Sequence, residues 1–380
     1  MQRNNIYFIF LIFTLLFSCI EEYTPKLNSS EAYLYVVDGR ITDIEGFHTI
    51  LISKSTEVTN PSRVPVSNCD VKIFDDNDNV FTAEEYNAGE YKVYIAEEYL
   101  TYGTAFKLEV ITPDGVIIGS EYDTLHFCPE IDSIYYEIEE FIISNTEEKV
   151  PGLQFYLDYN GRNTSTNRIK VEFEETWEYH SDYPLKWTFN GWRLTEYSPP
   201  DYSKQICWKT EKPDQIYSFT TEKLSSNVYK KFPLHRILNT SNKLLVGYSL
   251  LIKQFSISED AMEYYEKVNS NMISESSLYD TQPQLFEGNI SCLSNSKTRI
   301  LGYFSTMGMK SKRIFIKHVE DLNMNVNPAC EPMSIDLGFL RGAMGTVILW
   351  FEGGTYRLNP VCVDCTVLGG ETIKPDFWPN

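Results

Sequence analysis

The sequence Tyr91-Lys92-Val93-Tyr94-Ile95 carries the clearest fold signal of this chain. Tyr91, Val93 and Ile95 alternate along it with Lys92 and Tyr94. A period of two residues is typical of a β-strand with one face in a core and the other in water. Similar alternation occurs at Cys69–Ile73 and Phe106–Val110, with turn-forming sequences such as Asn87-Ala88-Gly89 between the runs. Several short strands at this spacing are typical of a sandwich. We therefore predict an immunoglobulin-like β-sandwich over residues 30–128.

Residues 129–380 are predicted to form a larger β-rich domain, because further alternating runs follow Pro129. One segment has helical spacing instead, with Ser258 as its cap, so we place one helical insertion near residues 258–273. Residues 180–240 are rich in Tyr, Pro, Ser and Asn and are predicted to be long connections. The fold class is therefore mainly β. The candidate strands are Phe155–Tyr159, Ile169–Phe173, Leu244–Ile257, Arg299–Phe304, Arg313–Lys317 and Thr346–Phe351.

The first residues of the chain predict its cellular localisation. Arg3 is followed by the apolar run Ile6–Phe17 and then by Ser18-Cys19. A short basic start, an apolar stretch of this length and a small residue before a cysteine are typical of a bacterial lipoprotein signal, whereas a membrane-spanning helix needs about 20 apolar residues. We predict that residues 1–18 are a signal peptide and that Cys19 is lipidated. An ordinary secretory signal and a core helix are the alternatives.

Residues 19–29 are predicted to be a tether between the lipid and the sandwich. Glu21 and Glu22 follow Cys19 closely within it. In one bacterial group, an acidic pair at this position resembles the signal that sends a lipoprotein to the outside of the outer membrane. A solvated charged linker is the other interpretation, and the sequence supports both. The predicted localisation is the outer membrane, with the lipid-anchored protein facing the cell exterior.

The charge of the chain argues against one class of partner. With 33 Lys and Arg against 53 Asp and Glu, the formal net charge is −20 at pH 7. A protein of this charge has no electrostatic basis for binding nucleic acid, because such binding depends on basic side chains that neutralise phosphates. Aromatic residues make up 14% of the chain, a content that suits β-sheet faces and the stacking of sugars or peptides.

The seven cysteines after Cys19 are the one set of residues with an expected chemistry. Exported proteins pass through an oxidising compartment, so disulfides are the first interpretation, ahead of free thiols, a metal site and redox catalysis. Cys69 and Cys128 are able to pair within the first domain. Cys362-Val363-Asp364-Cys365 has redox spacing but follows no βαβ pattern. The disulfide candidates are Cys69, Cys128, Cys207, Cys330, Cys362 and Cys365, and Cys292 makes the number in the second domain odd.

No motif in the sequence identifies a reaction. The five histidines are scattered, so we predict no metal site and no cofactor. Glu172 and Glu174 alternate on one predicted strand face with Lys170, where a catalytic carboxylate pair and a solvated strand face are both open interpretations. We expect no catalytic residues and a non-enzymatic protein. The alternative is an extracellular polymer-degrading hydrolase with an unrecognised site.

The order of motifs resembles a family of Bacteroidota lipoproteins known as domain of unknown function 4249. The resemblance begins at Cys19–Glu22 and ends at its most distinctive motifs, Cys362–Thr366, Gly369–Thr372 and Lys374–Pro379. It implies an outer-membrane location and association with TonB-dependent transporters, and it implies no catalytic residues. The expected function is an accessory or ligand-binding component of such an uptake system, with a glycan or a peptide as ligand. The motifs in between are Val36–Asp43, Pro65–Ser67, Val71–Ile73, Gly89–Tyr91, Pro129–Ile134, Tyr248–Leu250, Gly288–Ile290 and Leu301–Phe304.

The C-terminal sequence Phe377-Trp378-Pro379 predicts a packed tail. Chain ends usually fray, so two large aromatic side chains there need a partner surface. We expect the cysteines to hold the tail against the second domain, and Gly369 and Gly370 to allow the turn back. Phe377 and Trp378 would then plug the open end of the core. The alternative is a tail that docks onto a transporter, with both aromatic side chains exposed until binding.

Overall fold

The structure is a computed structural model that describes residues 34–56, 63–143, 148–213, 215–274, 286–340 and 345–379. The described residues form 23 β-strands and one α-helix, α1 (Glu259–Ser274). The predicted mainly β fold with a single helical insertion is therefore confirmed. Within these residues no helix has the length and apolar character needed to cross a membrane. The predicted signal peptide and tether, with Cys19, Glu21 and Glu22, lie outside the described residues.

The N-terminal strands belong to a sheet that folds over on itself to enclose an apolar core. Val71, Tyr91 and Leu108, which the alternating runs place inward, are buried in that core. The strands are β1 (Tyr35–Thr42), β2 (Gly46–Lys54), β3 (Val64–Pro65), β4 (Asp70–Asp75), β5 (Val80–Asn87), β6 (Glu90–Ile95), β7 (Ala105–Ile111), β8 (Ile117–Ser120) and β9 (Asp123–Thr124).

A second core lies in the C-terminal region between two layers of strands. The strands of this region are β10 (Ser133–Ile142), β11 (Lys149–Asn160), β12 (Arg168–His180), β13 (Leu185–Phe189), β14 (Leu194–Asp201), β15 (Ile206–Glu211), β16 (Tyr217–Thr220), β17 (Val228–Leu238), β18 (Gly247–Ser256), β19 (Ile290–Cys292), β20 (Ile300–Ile316), β21 (Met333–Ser334), β22 (Val347–Phe351) and β23 (Thr355–Leu358). One layer has the order β15-β12-β18-β20, and the other has the order β10-β11-β17. Phe155, Phe173 and Tyr248 are among the side chains buried between them.

C-terminal segments complete the first sandwich. β19 pairs with β8, and the first half of β20 runs parallel to β1. Ile290, Ile300 and Phe304 pack in the same core cluster as the side chains of β1 to β8. The two sequence regions therefore share one sheet and one core. The predicted boundary between the two domains stays a prediction.

Two predictions about the C-terminal region were wrong. Residues 180–240, expected to be long connections, contain five strands, β13 to β17. All of β14 except Pro200 is exposed, so its side chains give no period-two signal, and backbone pairing with β13 defines it. Arg299–Phe304 and Arg313–Lys317 were expected as two strands, but they belong to the single 17-residue strand β20. Its middle, Lys310–Arg313, is polar on both faces and at most half-buried, which hides the continuity.

Helix α1 begins where the sequence predicts. Ser258 Oγ accepts a hydrogen bond of 3.3 Å from the backbone N–H of Ala261, which caps the first turn. Two acidic residues occupy that turn, where the positive end of the helix dipole favours them. Tyr265 is buried in a cluster with Tyr303 of β20. The apolar side of the helix therefore packs on the sheet.

Candidate ligand-binding pocket

Two disulfides hold the last part of the chain, one to the second core and one within a separate small cluster that contains Leu358 and Val363. Cys207 of β15 bonds to Cys365, and Cys330 bonds to Cys362. Four of the predicted disulfide candidates are therefore paired. The Cys-x-x-Cys motif is divided between the two bonds and does not form a redox pair of its own. The connectivity was beyond sequence reasoning, because each bond joins residues that are far apart along the chain.

Cys69 and Cys128 do not pair, and with Cys292 they are free thiols. The predicted pairing is wrong because the two thiols lie in different surroundings. Cys128 Sγ lies 3.6 Å from Gln254 Nε2, whereas Cys69 Sγ lies 3.8 Å from Val66 O. Burial raises the pKa of Cys128 to about 12 and also raises the pKa of Cys69. Neither thiol is therefore an activated nucleophile.

The C-terminal tail folds back onto the sheet at two glycines. Gly369 has a φ of +81°, and a Cβ on Gly370 would lie 2.2 Å from Tyr179 Oη, so both positions require glycine. Glu371 then exchanges two backbone hydrogen bonds of 2.9 Å with Trp208 of β15. The predicted turn at the glycines is confirmed.

Trp378 packs on the outer face of the layer β15-β12-β18-β20. The outer face is the side that carries Glu178, Gly247 and Phe315, which alternate with core residues of the same strands. Trp378 is 9% exposed, and its Nε1 donates to Glu178 Oε2 at 3.1 Å. Its ring is perpendicular to Phe315, with centroids 5.9 Å apart, and a Cβ on Gly247 would lie 3.1 Å from its Cζ2. The tail thus covers the outer face and not the open end of the core.

Phe377 does not plug the core, since it is 39% exposed. The guanidinium carbon of Arg313 lies 3.6 Å from the centroid of its ring, which is cation–π distance. The prediction of a packed tail is therefore confirmed for Trp378, but the predicted plug at the open end of the core is wrong for both side chains. Phe377 stays at the surface. The reason is that a cation on the outer face gives the exposed ring a partner at the surface.

A pocket of ≈450 Å³ lies between the tail and the outer face. Aromatic rings and aliphatic side chains with a few charges form its walls, which is the usual composition of a small-molecule site, and such sites measure roughly 300–1,000 Å³. Rings of this kind stack on sugars and planar groups. The lining residues are Glu178, Ile206, Trp208, Val246, Gly247, Tyr248, Phe315, Ile316, Lys317, Lys374, Trp378 and Pro379.

The polar groups of the pocket favour a ligand with acceptor oxygens. Glu178, besides its bond to the tail, lies 2.7 Å from His180 Nε2. Lys317 is exposed and forms no ion pair within the described part of the chain, and Lys374 adds a second ammonium group to the lining. Trp208 Nε1 is buried without a hydrogen-bond partner among the described residues, which is costly for a donor.

A buried ionic network lies on the inner side of the layer β15-β12-β18-β20, which faces the second core. Glu175 is 1% exposed, and its carboxylate contacts Lys243 Nζ at 2.9 Å, Tyr248 Oη at 2.9 Å and His235 Nε2 at 3.0 Å. Burial raises the pKa of Glu175, but the bonds to His235 and Lys243 outweigh it and the pKa is lowered. Both carboxylate oxygens are engaged. The network therefore ties β12, β17 and β18 together.

A second concavity, of ≈550 Å³, lies between α1 and the strands β19 and β20. Lys267 lies 2.6 Å from Glu263, and Arg299 lies 3.2 Å from Glu287, so two of its acids are paired with its own cations. In the described ranges, no group of three or more His, Cys, Asp or Glu side chains is placed to hold a metal. The acidic residues that line this groove are Glu121, Asp260, Glu263 and Glu287.

The sequence signals only part of the pocket. The two tail aromatics and the glycines before them were recognisable, since aromatic side chains at a chain end need a partner. Trp208, Phe315 and Glu178 were missed, because they come from three strands and form no local motif. The predicted lipidation and export residues lie outside the described part of the chain.

Comparison with known proteins identifies a family. No curated protein matches the chain. Among solved structures, the chain is similar to a DUF4785 family protein from Legionella pneumophila, at 12% sequence identity and a TM-score of 0.17. That match covers 57% of this chain and 51% of the other, so the chain spans about half the length of the solved structure. The profile of the family described as domain of unknown function DUF4249 matches residues 20–313, which is more than half of the chain. The chain therefore belongs to the DUF4249 family.

Proposed function

We propose that this protein is a lipid-anchored, non-enzymatic, ligand-binding accessory of a TonB-dependent uptake system in the outer membrane. The observation that carries the proposal is the pocket beneath the tail, where Trp208, Phe315 and Trp378 surround a space of ≈450 Å³. The rings come from two strands and the tail, and the Cys207–Cys365 disulfide and the bridge to Trp208 hold the tail in place. A site held in this way is preorganised for stacking on a glycan or a peptide.

The position of the pocket suits a tethered protein. Tyr35, at the start of β1, pairs with Ile300 at the start of β20, whereas Phe315 lies near the other end of that strand. Fifteen residues of extended strand separate these levels by about 50 Å. Lipidation at Cys19 would therefore hold the first strand near the membrane and the pocket away from it.

Binding by the soluble chain, residues 20–380, to glycan and peptide arrays tests the ligand-binding role. Trp208→Ala should abolish the binding seen with the wild-type chain, because the ring forms a wall of the pocket. Trp192→Ala is the matched control, since Trp192 is 88% exposed at the tip of the β13–β14 hairpin. Full binding by Trp208→Ala would contradict the proposal.

The anchor is tested separately. Cys19→Ser should abolish labelling with palmitate and release the protein from membranes, because a diacylated cysteine anchors through many buried methylenes at about 0.8 kcal/mol each. Protease added to intact cells should cut the wild-type protein. Replacing Glu21 and Glu22 by Gln should protect it if the acidic pair directs export to the exterior. Membrane fractionation of Cys19→Ser that matches the wild type would refute lipidation.

The transporter partner is proposed from the family resemblance. Affinity purification of the tagged protein from outer membranes should recover a TonB-dependent transporter, and its gene should lie next to the gene of this protein. Recovery that depends on Trp378 but not on ligand would instead favour docking of the tail onto the transporter.

A second candidate function is hydrolysis of an extracellular polymer. The acidic groove beside α1 favours it, because Glu121 and Asp260 line the groove, and neither has an ion pair within the described residues. Paired carboxylates are the usual machinery of glycoside hydrolysis. Release of reducing ends from polysaccharides, lost in Asp260→Asn, would support this function. Turnover that is unchanged in Asp260→Asn and Glu121→Gln would exclude this groove as its site.

A further inference from the structure

The outer face of the layer β15-β12-β18-β20 continues from the pocket towards α1 as a charged surface. The strand register places Glu172 opposite Lys253, and Lys253 opposite Ser311. One pleat nearer the pocket, Glu174 lies opposite Leu251, which lies opposite Arg313. These residues share one face because side chains two apart along a strand point the same way.

Two acids of this surface, Glu172 and Glu174, each contact two cations. Glu172 contacts Arg40 Nη2 at 2.8 Å and Lys170 Nζ at 2.8 Å. Its pKa is lowered to about 2, because the attraction of Lys170 and Arg40 outweighs the opposing effect of burial.

Glu174 contacts Arg313 Nη2 at 3.4 Å and Lys212 Nζ at 3.5 Å. The same Arg313 stacks on Phe377 of the tail, so the second acid is tied to the edge of the pocket. The two carboxylates are therefore neutralised. Asp38, which interacts with Arg40 and Lys170, and Glu178 at the pocket are further acids on this side, so these ion pairs alone leave no surplus of charge.

Two further lysines give the face a surplus of positive charge. Lys253 lies in the middle of the face and Lys317 in the pocket, and neither forms an ion pair in the parts of the chain that the structure describes. The outer face is thus locally positive in a chain with a formal net charge of −20. A local charge opposite to the net charge is a marker of a complementary partner.

The surface has aromatic side chains at its pocket end and closes against α1 at the other end. There Phe255 is fully buried beneath the guanidinium of Arg40, with 4.9 Å between the guanidinium carbon and the ring centroid. Phe315 and Trp378 form the pocket end. Phe255 pairs with Met309, and six residues separate that level from Phe315, a distance of about 20 Å along the strand. The face therefore suits a chain-like ligand.

The backbone of the outer face determines whether an anionic peptide or an anionic saccharide fits it better. An extended peptide binds best by adding a strand to a free sheet edge. Within the layer, however, the backbone groups of β12 and β18 are engaged with strands on both sides, so the face offers side chains only. Rings and charged side chains without free backbone groups fit a saccharide better than a peptide.

We propose that the outer face binds an acidic polysaccharide, with sugar rings stacked in the pocket and carboxylates along Lys317, Arg313 and Lys253. The proposal rests on the ligand-binding role of the pocket and names its ligand class. No covalent step is involved.

Calorimetric titration of the soluble chain with oligogalacturonate tests this proposal, with a neutral cello-oligosaccharide of the same length and polyglutamate as comparison ligands. Oligogalacturonate should bind, and its affinity should fall as salt is raised, since the screening length shortens from about 10 Å at 0.1 M to about 3 Å at 1 M. Lys253→Gln and Lys317→Gln should each weaken binding roughly 2- to 5-fold, the effect of one solvent-exposed charge pair. Lys149→Gln, on β11 in the opposite layer, should leave it unchanged.

The possible outcomes distinguish the acidic-polysaccharide proposal from the general ligand-binding role on which it rests. Binding of the neutral oligosaccharide but not of oligogalacturonate, lost in Trp208→Ala, would overturn the acidic class and keep the pocket. Equal binding of polyglutamate would overturn the saccharide class. Unchanged affinity in both lysine variants, with melting temperatures equal to that of the wild type, would overturn the outer face as the site. Binding of none of the three ligands would overturn the proposal, and a negative array screen would separately contradict the ligand-binding role.

Discussion

At the scale of single residues, Trp378 occupies space that only a glycine at position 247 leaves free. The ring is buried, donates to Glu178 and packs against Phe315. We expect Trp378→Ala to lower the free energy of unfolding by about 3 kcal/mol, at the lower end of the range for a core Trp, because one edge of the site is open. Differential scanning calorimetry of the soluble chain measures it.

The control for Trp378 is Trp192→Ala, which removes an equally large ring that is 88% exposed. Its melting temperature should match that of the wild type. If Trp378→Ala is as stable as Trp192→Ala, the tail is not part of the fold, and docking onto a partner becomes the better account of its aromatic residues.

Asp123 makes the stability of the fold decrease as pH rises, which is the opposite of the usual effect of a paired carboxylate. Burial raises its pKa to about 6, against 3.8 as the ordinary value, while the backbone N–H of Thr306 donates to its Oδ2 at 2.7 Å. The folded state therefore holds this proton more tightly than the unfolded state, so stability falls as pH rises from about 4 to about 6. The full effect is about 3 kcal/mol.

Denaturant unfolding of the wild type and Asp123→Asn across this pH range checks the sign. The stability of the variant relative to the wild type should rise by about 3 kcal/mol between pH ~3 and pH ~7, most steeply between the two pKa values, and then stay level. A difference that is constant with pH, or that falls as pH rises, would show that Asp123 is ionised in the folded state.

At the scale of structural elements, the tail depends on its disulfide to β15. Replacing Cys207 and Cys365 by Ser should lower the free energy of unfolding by about 2–4 kcal/mol, because the bond closes a long loop of chain. It should also increase acrylamide quenching of Trp378 fluorescence. Cys69→Ser removes a half-buried free thiol and is the control. It should change the free energy of unfolding and the quenching much less than the double replacement does. Unaltered quenching in the double variant would mean that packing and the bridge at Trp208 hold the tail unaided.

The elements also show which parts of the fold the sequence could predict. β4, β6 and β7 were recognised because one face of each is buried, and burial of one face is what period-two alternation reports. β14 was missed because nearly all its residues are exposed. The pocket was missed for a different reason: strand register, which brings Glu178 next to Gly247, is a property of the folded sheet and leaves no local trace.

At the scale of the whole molecule, the two sandwiches depend on each other. β20 pairs with β1, and Ile290, Ile300 and Phe304 fill the first core. We expect residues 30–128, expressed separately, to lack a cooperative unfolding transition, because the segment loses the strands that pair with β1 and β8 and part of its core.

The matched comparison is the same segment joined through a flexible linker to residues 286–307. That fusion should recover a cooperative transition, since it restores β19 and the half of β20 that pairs with β1. Cooperative unfolding of residues 30–128 without the added strands would show that the predicted first domain is an independent unit.

A hydrogen-exchange footprint of the soluble chain with and without saturating oligogalacturonate tests whether the outer face binds an acidic polysaccharide. The ligand should slow exchange in the segments that build the pocket and the outer face, which are 206–212, 247–253, 311–317 and 371–379. Exchange in the β13–β14 hairpin and in α1 should stay the same. Protection confined to α1 and residues 287–303 would place the ligand in the acidic groove and contradict binding at the outer face.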